Sequence, residues 1–264
     1  MKLLHSPTRI AAALQTAVPG LTIEAVAETG STNADLLARL GSLSGPVLLV
    51  ADQQHAGRGR AGRTWHSERG ASLTFSLAWP VRVSLQALVG LPLAIGVALA
   101  EVLAGQGIAV QLKWPNDVLA DGSKLAGILI ETAVDRQPDA RLWAVIGIGI
   151  NLTDNAALGA RIGQPVAALP DAQAIDRDQL LGALLSQLCL TLQEFEEAGF
   201  AAFAARWNAL HLHRDQPVRI IDQGQAVVEG IAVGVDAQGR LLLDTPEGRR
   251  TVVAGDVSLR AVKA

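Results

Sequence analysis

"ADQQHAGRGRAGRTW", residues 51–65, sets three arginines (Arg58, Arg60, Arg63) among three glycines (Gly57, Gly59, Gly62) in nine residues. The chain around it is half hydrophobic, only 18% charged and has a net charge of −3. Glycines allow positive φ and let backbone N–H groups approach a ligand closely. Successive N–H groups in such a loop form an anion-binding nest. Arginine adds planar donors suited to phosphate or carboxylate. The stretch lacks the G-x-x-x-x-G-K-[ST] pattern of a P-loop. On composition alone it is an anion clamp, a nucleic-acid grip or an ordinary solvated loop. The slightly acidic balance argues against a broad basic footprint for nucleic acid.

Working outward, "GPVLLVADQQ" (45–54) reads as a buried strand that feeds the loop. Before it, "GLTIEAVAETGSTNADLLARL" (20–40) reads as strand, turn and helix, with the helix capped near Ser31 or Thr32. A short helix is expected over 6–17. After the loop, "ASLTFSLAW" (71–79) alternates. Leu73, Phe75, Leu77 and Trp79 share one face, and Ser72, Thr74 and Ser76 the other. Residues 84–104 read as an apolar helix. Its most apolar part, 87–100, contains Pro92 and is too short to span a bilayer, so a buried helix is expected. Three strands follow, "IAVQLKW", "KLAGILIETAV" and "RLWAVIGIGINL". Helices are then expected over about 178–198, with Leu181, Leu184, Leu185, Leu188, Leu192 and Phe195 on one stripe, and over 200–210. Past His213, short apolar runs recur about every ten residues between "DQG", "DAQG" and "PEG" turns. The expected organisation is an α+β domain with a mixed sheet over 1–212, followed by a small β-barrel over 213–264.

Three further motifs carry chemistry. In "KWPNDV" (113–118), Pro115 ends a strand, which leaves Lys113 at the strand end beside a turn with Asn116 and Asp117. "KLAGILIE" (124–131) holds Lys124, Gly127 and Glu131, and Gly127 interrupts an apolar strand where another backbone or a ligand comes close. In "IGIGIN", Gly147, Gly149 and Asn151 share one face opposite Ile146, Ile148 and Ile150. That face suits a slender ligand lying on the sheet, or the tight packing of a helix. The five histidines are scattered, with no H-x-x-x-H or C-x-x-C pattern. No G-x-S-x-G elbow is present, so covalent catalysis by a nucleophilic serine has no sequence support. The single cysteine, Cys189, reads as a core thiol, and the chain as cytoplasmic without a signal peptide.

Together, "STN" (31–33), "DQQHAGRGRAGRTW" (52–65), "KWPNDV" (113–118), "KLAGILIE" (124–131) and "IGIGIN" (146–151), in that order, resemble the biotin protein ligase family over nearly the whole chain. The resemblance implies a catalytic domain of the biotin/lipoate ligase type and a C-terminal SH3-like module. It implies formation of biotinyl-5′-AMP from biotin and ATP with Mg²⁺, then transfer of biotin to a lysine of a biotin carboxyl carrier protein. "STN" begins at residue 31, so a monofunctional type without the DNA-binding domain of some members is expected. No DNA or membrane partner is expected, and a homodimer is possible.

By the same resemblance, Ser31, Thr32 and Gln54 meet the ureido end of biotin, and Gly127 and Gly147 floor its slot. Arg58 and Arg60 take the biotin carboxylate and the phosphates, Arg63 the ATP phosphates, and Gly57 allows the loop to fold over. Trp65 stacks near adenine and Asn151 contacts it. Lys113 stabilises charge between carboxylate and α-phosphate, assisted by Lys124. Asn116 and Asp117 form the Mg²⁺ side, and Asp117 receives the acceptor lysine. Lys113, Arg60 and Asp117 form the catalytic set. The loop departs from some members at Ala61, where a bulkier or basic residue stands, which bears on how tightly it holds the adenylate. Two alternatives stand beside this reading: a lipoate ligase, and a non-enzymatic biotin-binding module.

Overall fold

The computed structural model describes residues 3–135, 140–153, 159, 165–222, 225–255 and 257–262. A seven-stranded sheet is built from β1 (Thr22–Thr29), β2 (Val47–Gln54), β3 (Ser72–Val81), β4 (Gln111–Lys113), β5 (Asp117–Ala120), β6 (Ser123–Val134) and β7 (Leu142–Asn151). The order is β1-β2-β3-β7-β6-β5-β4. β1 and β2 are parallel and the remaining pairs antiparallel, so the sheet is mixed as the sequence predicts. A second sheet holds β8 (Gln216–Asp222), β9 (Gln225–Val235), β10 (Leu241–Thr245), β11 (Gly248–Val252) and β12 (Val257–Ala261) in the order β11-β10-β9-β8-β12. It is antiparallel throughout, with β11 and β12 at its edges.

The helices are α1 (Pro7–Ala12), α2 (Thr32–Ala38), α3 (Leu91–Gly105), α4 (Arg177–Ala198) and α5 (Ala201–Ala209). α1 stops earlier than its pattern suggests, since the Gln15 N–H bonds Ser186 Oγ at 2.8 Å instead of continuing the helix. α3 starts at Leu91 because Pro92, which has no N–H, fits only a first turn, and Leu85–Gly90 winds as a 3₁₀ helix ahead of it. The segment Leu85–Gly105 is long and apolar enough to cross a membrane by composition, yet 67% of its most apolar 18-residue window is buried in the fold. It packs on α4, whose predicted leucine stripe is fully buried. Cys189 lies in that stripe, and burial pushes its thiol up to about 12, so it is inert.

The two faces of the large sheet differ. Leu73, Phe75 and Leu77 of β3 and Ile146, Ile148 and Ile150 of β7 face α3 and α4 in the main core, which runs on into Val218, Ile220, Leu241 and Leu259 of the second sheet. On the opposite face of β7, Trp143 and Val145 pack under Leu36 and Leu40 at α2. The same face then becomes Gly147, Gly149 and Asn151, where α2 reaches only Gly147, through Asn33, and Trp65 lies over Gly149. Ser72, Thr74 and Ser76 lie opposite these three residues in the β3–β7 register. All three are buried.

Candidate active site

A cavity of about 550 Å³ opens on this bare part of the sheet. Its neutral end is built by the cap of α2. Ser31 is extended, and its Oγ accepts the Ala34 N–H, which fixes the entry of the helix. The Thr32 N–H donates to Gln54 Oε1 at 2.8 Å, and Thr32 Oγ1 lies 2.6 Å from Ser76 Oγ. Ser76 Oγ donates to Asn33 Oδ1 at 2.5 Å, and Asn33 Nδ2 donates to Glu131 Oε2 at 2.9 Å. All of these groups except Glu131 are buried. Asn33 and Ser76 are site residues that sequence reasoning missed; Asn33 stands inside "STN", and Ser76 is signalled only by the polar face of β3.

The arginine loop closes over the cavity as a tight hairpin. Gly59 N donates to Arg63 O at 2.7 Å, Arg63 N to Arg60 O at 3.1 Å and Trp65 N to Gly57 O at 2.9 Å. Ala61 (φ 52°) and Gly62 (φ 69°) form its tip in the left-handed region. Arg58 Nη2 pairs with Glu131 Oε2 at 2.8 Å. Arg60 Nη1 donates to Asn116 Oδ1 at 3.2 Å, and its Nη2 to the carbonyl of Gly255. The Trp65 ring lies on Gly149, where a Cβ would overlap it, and against Gly127. Its indole N–H is buried without a hydrogen-bond partner among the described residues.

The charged end gathers at the β4–β5 hairpin. The sequence suggests only a strand and a turn there, but Val118 to Ala120 return as a strand. Lys113 and Asp117 therefore stand paired across the hairpin. β4 is held from its other side by the Leu112 N–H to Leu210 O and the Leu212 N–H to Leu112 O. The Trp114 indole, buried beneath, donates to Gly239 O at 3.2 Å. Lys124 Nζ meets Asp117 Oδ1 at 2.5 Å and lies 6.0 Å from the centre of the Trp65 ring. Lys113 makes no ion pair among the described residues. Burial pushes its pKa below the ordinary lysine range; Asp117 opposes this, while Arg260, Lys124 and Arg63 lower it further. Arg260 comes from β12 and lines the cavity with Val257, Ser258 and Leu259. No local motif marks them, because the fold brings them from more than 140 positions beyond Lys113.

Of the fifteen residues expected from the sequence, Gly57 alone is not in the cavity wall. It is buried under the loop, where a Cβ would strike the Trp65 carbonyl, so it shapes the hairpin rather than meeting a ligand. Gly147 reaches the wall, but the Asn33 amide covers its Cα, and Gly127 is partly covered by Trp65. Asn151 lines the cavity and donates to Lys124 O at 3.1 Å. Asn116 is committed at both ends of its amide, since Nδ2 also donates to Ile128 O at 2.8 Å. Asp117 is the one carboxylate in the wall among the described residues.

Residues 25–151 match the Biotin/lipoate A/B protein ligase family, and residues 213–260 match the Biotin protein ligase C terminal domain. The chain is 40% identical to the biotin–[acetyl-CoA-carboxylase] ligase of Mycobacterium tuberculosis, over 89% of this chain and 88% of that protein. It is 37% identical to the bifunctional ligase/repressor BirA of Escherichia coli, over 88% of this chain and 72% of that protein. Among solved structures, the biotin protein ligase of Aquifex aeolicus in complex with biotin and ATP superposes with a TM-score of 0.76 at 29% identity, covering 91% of this chain and 99% of that one. With this agreement over sheet, loop and C-terminal module, the chain belongs to the biotin protein ligase family.

Proposed function

We propose that this cavity carries out the reaction of an ATP-dependent biotin protein ligase, with biotin lying from the neutral end toward Lys113 and ATP at the charged end. The observation that carries the assignment is the division of one cavity into a buried, uncharged hydrogen-bonding end and a cation-rich end, joined across a glycine-bearing sheet. The uncharged end, Ser31, Thr32, Gln54 and Ser76 with Asn33, offers neutral donors and acceptors for a ureido group. The cation-rich end receives a carboxylate and a triphosphate. In the first step a biotin carboxylate oxygen attacks the α-phosphorus of ATP and pyrophosphate leaves. The carboxylate is already ionised near neutral pH, so the chain's task is to bring two anions together and stabilise the charge that develops.

Lys113 is half-buried, makes no ion pair among the described residues, and has its pKa lowered by burial and by neighbouring cations, an arrangement that an arriving anion relieves. Arg60 and Arg63 close over the phosphates, Arg58 faces the carboxylate and Arg260 adds a cation from the C-terminal module. Trp65 and Asn151 meet the adenine. Mg²⁺ supplies charge neutralisation on the phosphates. Asp117 and the Asn116 amide oxygen would hold it, since the single hydrogen bond that oxygen accepts from Arg60 leaves its second lone pair free. With no cluster of three metal-ligating side chains among the described residues, Mg²⁺ would be held chiefly by the phosphates of ATP. When Lys124 turns to the phosphates it releases Asp117, which then receives the proton of the acceptor lysine as that amine attacks the acyl carbon and AMP leaves. The catalytic unit is 1–212, and the module 213–264 closes the site through Gly255 and Arg260.

Incubation with biotin, ATP, Mg²⁺ and a biotin carboxyl carrier domain is expected to add one biotinyl group to one carrier lysine, read by mass spectrometry. ATP–pyrophosphate exchange with lipoate and not with biotin would overturn the assignment.

A further inference from the structure

Glu131 is a cavity-side carboxylate that the reaction above does not use. It stands on β6 opposite Val145, two residues beyond Leu129, on the face that carries the site. It is not in the cavity wall, so it does not compete for the position of a ligand anion. Its Oε2 accepts from two directions, Asn33 Nδ2 at 2.9 Å and Arg58 Nη2 at 2.8 Å. Asn33 belongs to the neutral end and is bonded through Ser76 to Thr32. Arg58 opens the arginine hairpin and pairs with Thr64 across it. One carboxylate oxygen is thus the junction between the preformed neutral end and the closing loop. Arginine has five donors in a rigid fork, so engaging Nη2 leaves the others free to face a ligand. We propose that Glu131 is a positioning residue that pins the arginine loop through Arg58 and ties it to the neutral end through Asn33. The part of this that concerns biotin affinity rests on the ligase reading; the part that concerns the loop does not.

The pair is partly exposed, with 42% of the Arg58 side chain and 28% of the Glu131 side chain accessible, so a moderate effect is expected. Glu131→Gln keeps the shape and both acceptor contacts and removes the charge. Without ligand, tryptic cleavage after the exposed Arg63 is expected to quicken about threefold, with the melting temperature unchanged. Biotin Kd is expected to rise by about the same factor, because an unpinned loop must be ordered on binding. Both changes are expected to vanish when Glu131→Gln is made in an Arg58→Ala background. Cleavage equal to wild type, or an effect that persists without Arg58, overturns the pin. Unchanged or tighter biotin binding by Glu131→Gln overturns the link to affinity. A wild-type protein that binds no biotin removes the ligase reading, while the cleavage measurement still decides on the pin.

Discussion

At one end of the cavity Thr32, Gln54, Ser76 and Asn33 are buried and hydrogen-bonded to one another. At the other, Lys113, Lys124, Arg60, Arg63 and Arg260 crowd around Asp117. The neutral end rests on a helix cap and two strands, and its polar groups are satisfied before any ligand arrives. The charged end rests on a hairpin, a strand end and an edge strand of the C-terminal module, and burial with the neighbouring cations lowers the pKa of Lys113. A satisfied end selects by fixed geometry, since a ligand must match hydrogen bonds already oriented. A frustrated end draws in anions and holds its stabilisation for the moment when charge develops.

The largest test of this contrast is Lys113→Ala. Loss of a preorganised charge should lower the rate of adenylate formation by about 10²–10³-fold, while biotin Kd shifts far less, because biotin is selected at the other end. Stopped-flow adenylation beside equilibrium biotin binding separates the two. An equal loss in both would erase the difference between the ends. Because burial depresses the Lys113 pKa, kcat/KM for ATP should fall as pH rises through a value below the ordinary lysine range. The protonated ammonium is the active form and is lost on the alkaline side. Lys113→Arg, which keeps its charge, should move that alkaline limb upward.

The neutral end is probed by Thr32→Val, which is nearly isosteric and removes Oγ1. Ser76 then loses its Thr32 partner, and Gln54 Oε1 loses a contact at 3.1 Å. An unsatisfied buried polar group costs about 1–3 kcal/mol, so biotin affinity should fall roughly 10- to 100-fold. The ATP KM should remain within about twofold. A matching loss for ATP would mean the two ends do not act separately.

This division also decides what the sequence could disclose. The leucine stripe of α4, the alternation of β3 and the glycine face of β7 are local patterns, and each appears in the structure as read. The charged side chains of the arginine loop and of "KWPND" were legible because their residue types have few other uses. The hydrogen-bonded chain was not, since Ser76, Asn33 and Glu131 come from three separate elements, each too ordinary to stand out. β5 was hidden because Val118 to Ala120 is too short to show a period, and Pro115 and Asn116 ahead of it read only as a turn. The lining from Val257 to Arg260 depends on how the second sheet packs against β4. Gly57 stands where the loop folds over, since only a residue without a Cβ fits beneath the Trp65 carbonyl.

Behind the charged end, His211 and His213 lie buried where the segment 210–212 covers β4. Both ring nitrogens of His211 are buried without a hydrogen-bond partner among the described residues, and its ring lies 4.7 Å from that of Trp207. Burial, with smaller contributions from His213 and Arg214, pulls its pKa from 6.5 down to about 4. The folded chain excludes a proton that the unfolded chain binds between those values. Stability therefore falls as pH drops through that window. Between about pH 7 and about pH 5 the loss attributable to His211 is roughly 2 kcal/mol. His211→Phe should keep the stacking on Trp207 and flatten that part of the pH dependence, measured as urea midpoints at the two pH values. An unchanged slope would mean that the site's cations are not backed by a neutral imidazole.

The smallest expected effect concerns the tip of the loop. Ala61 has φ 52° and Gly62 φ 69°, so both tip positions of the hairpin are left-handed. Gly62 adopts this without penalty, but Ala61 carries a Cβ that disfavours it by about 1–2 kcal/mol. Ala61→Gly removes that strain and adds unfolded-state entropy worth about 0.4–1 kcal/mol in the other direction. Mid-range values leave a net gain of about 0.8 kcal/mol for the closed hairpin. It should appear as adenylate release slowed by about fourfold in a pulse–chase with labelled biotin, while biotin selection against close analogues stays unchanged. The hairpin tip touches the ligand end that works by charge, so a change in analogue selectivity from this substitution would show that the loop reaches the neutral end by a route other than Glu131.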